Sequence, residues 1–396
     1  MTSFGLCLNI ENYCFFKYID VTRFTVFLSI CALLALSSCA KKAIGKLQPV
    51  PIVQRMISDT SSSGYSLVSS YNIKSTAGPI AVLGMPEDVM RVTEELLTSD
   101  YCNNVSGRPP GDGLPDFAGE TVLMMLDLAN SPYIGKADEE DGVKLREVTV
   151  RNFLSALDTI YYRSPYETEE HLIKRKAKLI LIASSLSSFY GLYDIDTLCK
   201  SAKKAVPVFS SLGSAVKSSI RKAKSGLSIV WASPGLLREA EKGEAVENMF
   251  IPISKGDVER RFKDLLDKCE RAGKKEKIAS IILEDNALPI DSLKNFVQAL
   301  KNTEEGEMLV YKKMLSPDFE FILPEKAVAQ EAYSYLRKVN GFTHKIEYPG
   351  IQALVSLPSP DKYSYIYVEM KDRYFEDSLF TYMSNFAPKT FSLYVR

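Results

Sequence analysis

Short runs of apolar residues alternate with amphipathic stretches through most of the chain. The runs have the length of strands and cover residues 80–83, 121–126, 178–183, 227–231 and 278–283. Strands that are apolar on both faces are typical of a parallel sheet covered by helices. Between the runs, apolar residues recur at three- and four-residue spacing, which predicts helices in residues 143–161 and 256–272.

This alternation predicts an α/β fold, with mainly parallel sheets flanked by helices and the chain divided into two lobes. The last hundred residues are more β-rich. Their strands are predicted at residues 308–311, 319–323, 353–357 and 363–368, around one helix at 325–337. We therefore predict an α/β lobe over residues 61–270 and a second α/β or α+β lobe over residues 271–396. The serine-rich stretch at 65–69 is left as either a loop or the edge of a small sheet.

The N-terminal region has the pattern of a secretory signal. Arg23 precedes 13 uncharged, mostly apolar residues, and the small residues Ser37 and Ser38 follow them. Such a run is too short for a comfortable transmembrane span. The stretch Leu36-Ser37-Ser38-Cys39 resembles the lipobox of bacterial lipoproteins. The resemblance implies that residues 1–38 are removed as a signal peptide and that Cys39 carries the lipid, such as palmitate. The alternatives are a plain signal peptide or an N-terminal anchor.

Residues 39–60 follow this signal and read as a tether. They contain lysines and prolines and show no helical or strand period at their start. By resemblance to bacterial lipoproteins, the protein is expected in the cell envelope, attached to the membrane through Cys39. Lys41 and Lys42 stand where exported lipoproteins of some Gram-negative groups carry acidic residues. We therefore expect the protein to face the periplasm, with the cell surface as the alternative.

The charge balance gives no general attraction for nucleic acids. Lysine plus arginine and aspartate plus glutamate number 49 each, so we predict no nucleic-acid partner. The two histidines are far apart in sequence, which argues against a histidine-based metal site, and we predict no metal and no cofactor. Cys102, Cys199 and Cys269 are too widely spaced for a disulfide framework, although one bond between two of them stays open.

Established catalytic motifs are missing from the sequence. It contains no phosphate-binding G-x-x-x-x-G-K-[ST] loop, no G-x-G-x-x-G, no H-E-x-x-H, no G-x-S-x-G and no C-x-x-C. We therefore predict no catalytic residue from motifs. The segment around Arg108 and Asp112, rich in glycine and proline, is either a lid or an ordinary surface loop.

Small polar residues follow several of the predicted strands and form the candidate ligand site. Ligands of open α/β sheets sit beyond the carboxyl ends of the strands. The candidates are Asp127, Asn130 and Ser131 after the second strand, Ser184 and Ser185 after the third, Ser233 after the fourth, and Glu284 and Asp285 after the fifth. The competing interpretation is that these residue types cap helices whether or not a ligand binds.

A two-lobed α/β body on a lipid tether resembles, in layout, the type 1 periplasmic-binding proteins. That resemblance implies a non-catalytic role, in which a cleft between the lobes captures a small solute or a partner protein of the envelope. The alternatives are an envelope hydrolase with an unrecognised site, or a structural or assembly lipoprotein. An enzyme is expected to bring titratable side chains together from distant segments, which separates it from the other two.

Overall fold

Two mainly parallel sheets, both flanked by helices, form the body of the protein. This is seen in a computed structural model, which describes residues 48–72, 77–138, 142–223, 226–232, 236, 250–252, 257–271, 276–284, 290–306, 308–343, 347–359 and 364–370. The α/β class and the mainly parallel pairing predicted from the apolar runs are confirmed. Cys39 and the predicted signal peptide lie outside the described residues, so the lipid anchor stays a prediction. Within the described ranges, no helix combines the length and the apolar character needed to cross a membrane.

The helices of the described residues are numbered in chain order. They are α1 (Pro51–Ser58), α2 (Ser63–Ser69), α3 (Pro86–Thr98), α4 (Tyr133–Asp138), α5 (Val143–Leu157), α6 (Ser185–Ser201), α7 (Ser211–Ala223), α8 (Val258–Arg271), α9 (Ile290–Asn302), α10 (Met308–Met314) and α11 (Pro324–Val339). Local sequence explains several boundaries. Helix α3 begins with Pro86 followed by the acidic residues Glu87 and Asp88, which favour a helix N-terminus. Helix α11 ends at Asn340, whose positive φ of 53° is the left-handed geometry common after a helix.

The strands are numbered in the same way. They are β1 (Ile80–Gly84), β2 (Thr121–Leu126), β3 (Ile160–Tyr162), β4 (His171–Ile173), β5 (Leu179–Ile182), β6 (Val208–Ser210), β7 (Leu227–Ala232), β8 (Phe250–Pro252), β9 (Ile278–Leu283), β10 (Leu315–Ile322), β11 (Gly350–Ser359) and β12 (Ser364–Glu369). The five strands β1, β2, β5, β7 and β9 are the five apolar runs of the sequence.

The larger sheet has eight strands in the order β4-β3-β12-β11-β2-β1-β5-β6. Strands β11, β2, β1, β5 and β6 run parallel to one another. Two antiparallel pairs, β11 with β12 and β3 with β4, complete the other edge. Helices α3 and α11 cover one face of this sheet. Helices α1, α2, α5 and α6 cover the other. Every residue of β1 is therefore buried.

The smaller sheet has four strands, all parallel to their neighbours, in the order β10-β9-β7-β8. Its own apolar core lies under α8 and α9 and includes Trp231, which is fully buried and packs edge-on against Phe262. Strand β9 is buried along its whole length, as expected for a strand between two layers of helices.

The two sheets are joined by an apolar cluster that includes Leu212 and Ala215 of α7, Val230 of β7 and Ile282 of β9. Helix α7 packs on β9 and β7, and α11 packs on both α7 and α3. Because α7 and α11 contact both sheets, the carboxyl ends of the strands in the two sheets are held close to a common junction.

Several sequence predictions need correction. Residues 308–311, predicted as a strand, begin helix α10, and residues 65–69 lie in helix α2. The predicted tether contains helix α1, whose apolar side is buried against the body. The predicted boundary at residue 270 falls inside the smaller sheet, between β7 and β9, while β11 and β12 belong to the larger sheet. Parallel strands pair across long separations in sequence, and a linear division of the chain therefore misplaces them.

No disulfide joins any of Cys102, Cys199 and Cys269, which are the cysteines of the described residues. The loop around Arg108 and Asp112 is fastened to the body, because the Arg337 guanidinium donates hydrogen bonds to the carbonyls of Asn104 and Val105. This loop follows the C-terminal end of α3, at the opposite end of that helix from the strand-end junction. Of the two interpretations left open, the structure therefore favours the surface loop over a lid.

Candidate functional site

The candidate site is built at the carboxyl end of β1, where the chain turns into α3. The strand ends at Gly84, and Asp88 lies in the first turn of the helix. Asp88 is half-buried as a residue. Ends of parallel strands are where α/β proteins place their ligands. Asp88 is thus a titratable group in the expected region of the fold.

Ser184, which follows the neighbouring strand β5, hydrogen-bonds to this turn. Its hydroxyl donates to Oδ2 of Asp88 over 2.5 Å and accepts from the backbone N–H of Met85 over 2.9 Å. The side chain of Ser184 is fully buried, with 0% of its surface exposed. The hydroxyl therefore connects β5 to the first turn of α3 and is closed to a substrate from solvent.

Glu284 reaches the same place from the smaller sheet. It follows β9, and its backbone N–H donates to the carbonyl of Trp231 on β7 over 3.1 Å. The Glu284 side chain is half-buried, and its negative charge acts directly on Asp88. The Asp88 and Glu284 carboxyls, 196 positions apart in the numbering (284 against 88), therefore act on each other electrostatically at the junction of the two sheets.

The surroundings of Asp88 raise its pKa to about 7. Burial is the largest cause, and the charges of Glu87 and Glu284 add to it. The hydrogen bond from Ser184 and the charge of Arg91 act in the opposite direction. A carboxyl with a pKa near neutrality exchanges its proton readily at physiological pH, which is the property required of a general acid or base.

A second carboxyl with a raised pKa lies on helix α11. Glu325 is in the first turn of α11, and burial raises its pKa while the charge of Arg91 lowers it. Arg91 thus acts on both Asp88 and Glu325. The charge of Arg91 lowers the pKa of both carboxyls, against the effect of burial.

Asp127, the first predicted ligand residue, is instead buried inside the larger lobe. Its Oδ1 accepts hydrogen bonds from Asn130 (2.8 Å) and Ser356 (2.6 Å), and its Oδ2 accepts from Tyr133 (2.8 Å) and Asn152 (2.8 Å). None of its surface is exposed. A fully satisfied buried carboxylate is a structural group that orders its neighbours. It joins β2 to α4, α5 and β11.

The other predicted site residues are distributed as follows. Asn130 is bound to Asp127, and the Ser131 hydroxyl donates to the Asp127 carbonyl over 2.5 Å. Ser185 is the half-buried first residue of α6. Ser233 and Asp285 lie outside the described residues. Of the predicted set, the structure therefore brings Ser184 and Glu284 to the junction.

Sequence reasoning missed Asp88, although a signal for it was present. The segment from Pro86 to Asp88 directly follows an apolar strand, which is the rule that selected Ser184 and Glu284. The same segment also has the pattern of a helix start, in which acidic residues of the first turn need no further explanation. Asp88 fits both patterns, because it lies in the first turn of a helix and follows the end of a strand.

The described residues contain no group of three or more histidine, cysteine, aspartate or glutamate side chains suited to hold a metal ion. In the part of the chain that the structure describes, the junction thus offers paired carboxyls and an arginine. Proton transfer is the chemistry that these groups can carry out by themselves.

Comparison with known proteins gives similarity of fold only. No protein-family model matches the chain, and no curated protein matches it. Among solved structures it is similar to glutamate racemase from Bacillus anthracis (15% identity, 72% of this chain and 90% of that chain, TM-score 0.41). It is also similar to the enzyme from Francisella tularensis in complex with D-glutamate (15%, 80% and 95%, TM-score 0.44) and to that from Thermus thermophilus in complex with beta-chloro-D-alanine (15%, 73% and 91%, TM-score 0.41).

The prediction of a non-catalytic, solute-binding role is wrong on this comparison, whereas the lipid anchor at Cys39 and the envelope location are not tested by it and stay predictions. The similar structures are glutamate racemases, which are enzymes, rather than periplasmic-binding proteins. The comparison gives no support to a lipoprotein, a signal peptide or solute binding. The geometry agrees with this correction, because Asp127 is fully buried and the half-buried Asn130 and Ser131 hydrogen-bond to it. Titratable groups from distant segments meet instead at Asp88 and Glu284.

Proposed function

We propose that this protein is an enzyme that transfers protons to and from a small polar substrate at the junction of its two sheets. The observation that carries the proposal is the meeting of Asp88 and Glu284. The charge of Glu284 contributes to a pKa of about 7 at Asp88, so the two carboxyls act on each other across the junction. Both residues are half-buried rather than fully enclosed.

The two carboxyls divide the work of an acid and a base. Near pH 7 the Asp88 carboxyl is protonated in about half of the molecules, so it can give or take a proton without a large energetic cost. Glu284 supplies a second carboxyl from the opposite sheet. Paired carboxyls in unlike environments are a common arrangement in acid–base enzymes, since one can hold the proton while the other is ionised.

A serine hydrolase is less compatible with the same site. Ser184 and Asp88 have the spacing of a nucleophile and its base, at 2.5 Å. The Ser184 hydroxyl, however, has no exposed surface, and it also accepts the Met85 N–H. An attacking oxygen must reach the substrate, so Asp88 and Glu284 are the groups assigned to contact it.

The experiment is a proton-exchange screen in heavy water. The protein is incubated with L- and D-amino acids, 2-hydroxy acids, 2-oxo acids and simple sugars, and ¹H NMR detects loss of carbon-bound hydrogen. At least one compound is expected to exchange, with a rate that changes around pH 7. Asp88→Asn and Glu284→Gln are each expected to slow the exchange by about 100-fold or more, the usual contribution of a general acid or base.

Asp196→Asn is the matched control. Asp196 lies on the surface of α6 and pairs with Lys200, with both side chains about half exposed. This variant carries the same chemical change as Asp88→Asn and is expected to exchange at the wild-type rate. The proposal fails if no compound exchanges, or if Asp88→Asn is as active as Asp196→Asn.

A further inference from the structure

Ser184 occupies a helix-capping position without using it for capping. It stands at the N-cap of α6, yet its side chain makes no hydrogen bond to that helix. An N-cap serine normally accepts a hydrogen bond from a backbone N–H of the first helical turn, which is worth about 1 kcal/mol. Here the hydroxyl instead bonds to Met85 and Asp88, which follow the neighbouring strand β1. The local sequence alone does not explain this choice.

Gly84 makes room for that hydroxyl. A Cβ atom on Gly84 would lie 2.5 Å from Oγ of Ser184 and 3.1 Å from its backbone nitrogen. The first distance is shorter than real Cβ atoms show, and the second is tighter than most of their contacts. The φ of Gly84 is +149°, which side-chain-bearing residues rarely adopt. The carbonyl of Gly84 also accepts the Asp127 N–H over 2.8 Å, so this end of β1 cannot easily move aside.

We propose that Ser184 and Gly84 are positioning residues of the proton-transfer site, and that together they hold the Asp88 carboxyl in one orientation at the end of β1. This inference rests on the proposed function of Asp88. Ser184 fixes Oδ2 through a hydrogen bond, and the missing side chain at Gly84 lets Ser184 come close enough to form it.

The arrangement also determines the pH range in which Asp88 works. The hydrogen bond from Ser184 stabilises the ionised carboxylate and lowers the pKa of Asp88, against the effect of burial. The other described charges that act on Asp88 are those of Glu87 and Arg91 on its own helix, and of Glu284 from β9. Loss of the hydroxyl leaves burial and the two acidic neighbours opposed only by Arg91, so the pKa of Asp88 rises.

The test is a ¹³C NMR titration of the aspartate carboxyls in the full chain, with the Asp88 signal assigned from its loss in Asp88→Asn. Ser184→Ala is expected to raise the Asp88 midpoint by about one pH unit, from the usual strength of a hydrogen bond to a charged group. Gly84→Ala is expected to shift it in the same direction. The matched control is Ser188→Ala, which removes a buried hydroxyl one turn further along α6 that donates to the Ser184 carbonyl.

The same variants are then measured in the exchange assay. Ser184→Ala is expected to move the pH dependence of exchange upward by the same amount, while Ser188→Ala leaves it in place. An Asp88 midpoint that is unchanged in Ser184→Ala overturns the positioning role even when exchange depends on Asp88. If Ser184→Ala shifts the Asp88 midpoint but Asp88→Asn exchanges at the wild-type rate, the proposed function is overturned while the role of the Ser184 hydrogen bond is retained.

Discussion

Replacement of Asp127 by asparagine tests whether this carboxylate is structural. The two side chains have nearly the same shape, so the change removes the charge and turns one acceptor oxygen into an NH₂ donor. In the native protein all four donors around Asp127 lie between 2.6 and 2.8 Å from its oxygens. The new NH₂ group must face two of those donors.

The local geometry indicates where the NH₂ group goes. At the Oδ2 position it would meet the NH₂ group of Asn152, which cannot flip because its Oδ1 accepts from Tyr365 and Tyr367 at 2.9 and 3.0 Å. At the Oδ1 position it would meet Asn130 and the Ser356 hydroxyl, and both of these can reorient. The second placement is therefore favoured. It keeps the contacts but loses their charge assistance.

The expected cost is about 2 kcal/mol in the free energy of unfolding. Hydrogen bonds to a charged group contribute about 1.5–3 kcal/mol each and neutral ones about 1 kcal/mol, so four weakened bonds would lose more than this. The loss is partly offset because a neutral amide is cheaper to bury than a carboxylate. Asp127→Ala, which leaves all four donors without their acceptor, is expected to cost roughly twice as much.

The assay is urea unfolding followed by circular dichroism, with the free energy extrapolated to zero urea. Asp196→Asn on the exposed surface of α6 serves as the control and is expected to change stability by less than about 1 kcal/mol. If Asp127→Asn differs from the wild type by no more than this control, the network is not holding β2, α4 and α5 together and the reasoning is refuted.

Two further predictions follow from buried charges. The pKa of Asp88 is about 7 in the folded protein, against 3.8 for the same group in an unfolded chain, so the folded protein keeps the proton to a higher pH and its stability falls as the pH rises from about 4 to about 7. Between pH 4 and pH 8, Asp88→Asn should therefore gain about 2 kcal/mol of unfolding free energy over the wild type, less than the ~4 kcal/mol that the whole pKa difference corresponds to, because Asp88 is only half-buried and solvent screens part of the effect. Urea unfolding at both pH values measures it, and a difference that does not change with pH contradicts it. Separately, Arg146→Met should lower the free energy of unfolding by about 3–5 kcal/mol. It removes the guanidinium that lies 2.6 Å from the fully buried Asp194 carboxylate. Lys200→Met, at the exposed pair with Asp196, should lower it by less than about 1 kcal/mol. Equal effects of these two variants would contradict the importance of burial.

Sequence reasoning identified some of the residues at the candidate site but not all of them. Ser184 and Glu284 were selected because each follows an apolar strand, and both lie at the junction of the sheets. Asp127 was selected by the same rule and lies in the core instead. The rule identifies the correct edge of a sheet, but it cannot tell whether a side chain at that edge turns toward the junction or toward the neighbouring helices. That choice depends on which donors surround it.

The sequence by itself determined the class of the fold, because apolar runs of strand length and amphipathic helices are local patterns. A strand such as β9, apolar at nearly every position, needs helices on both faces wherever it is placed. The tertiary structure alone decided which strands are neighbours. Gly350 of β11 pairs in register with Thr121 of β2, a separation that no local pattern reports. It also decided that the Ser184 hydroxyl bonds to Asp88 instead of capping α6, and that the charge of Glu284 acts on Asp88 from the other sheet. These contacts are non-local and follow from how the layers pack, so their chemistry appears only once the chain is folded.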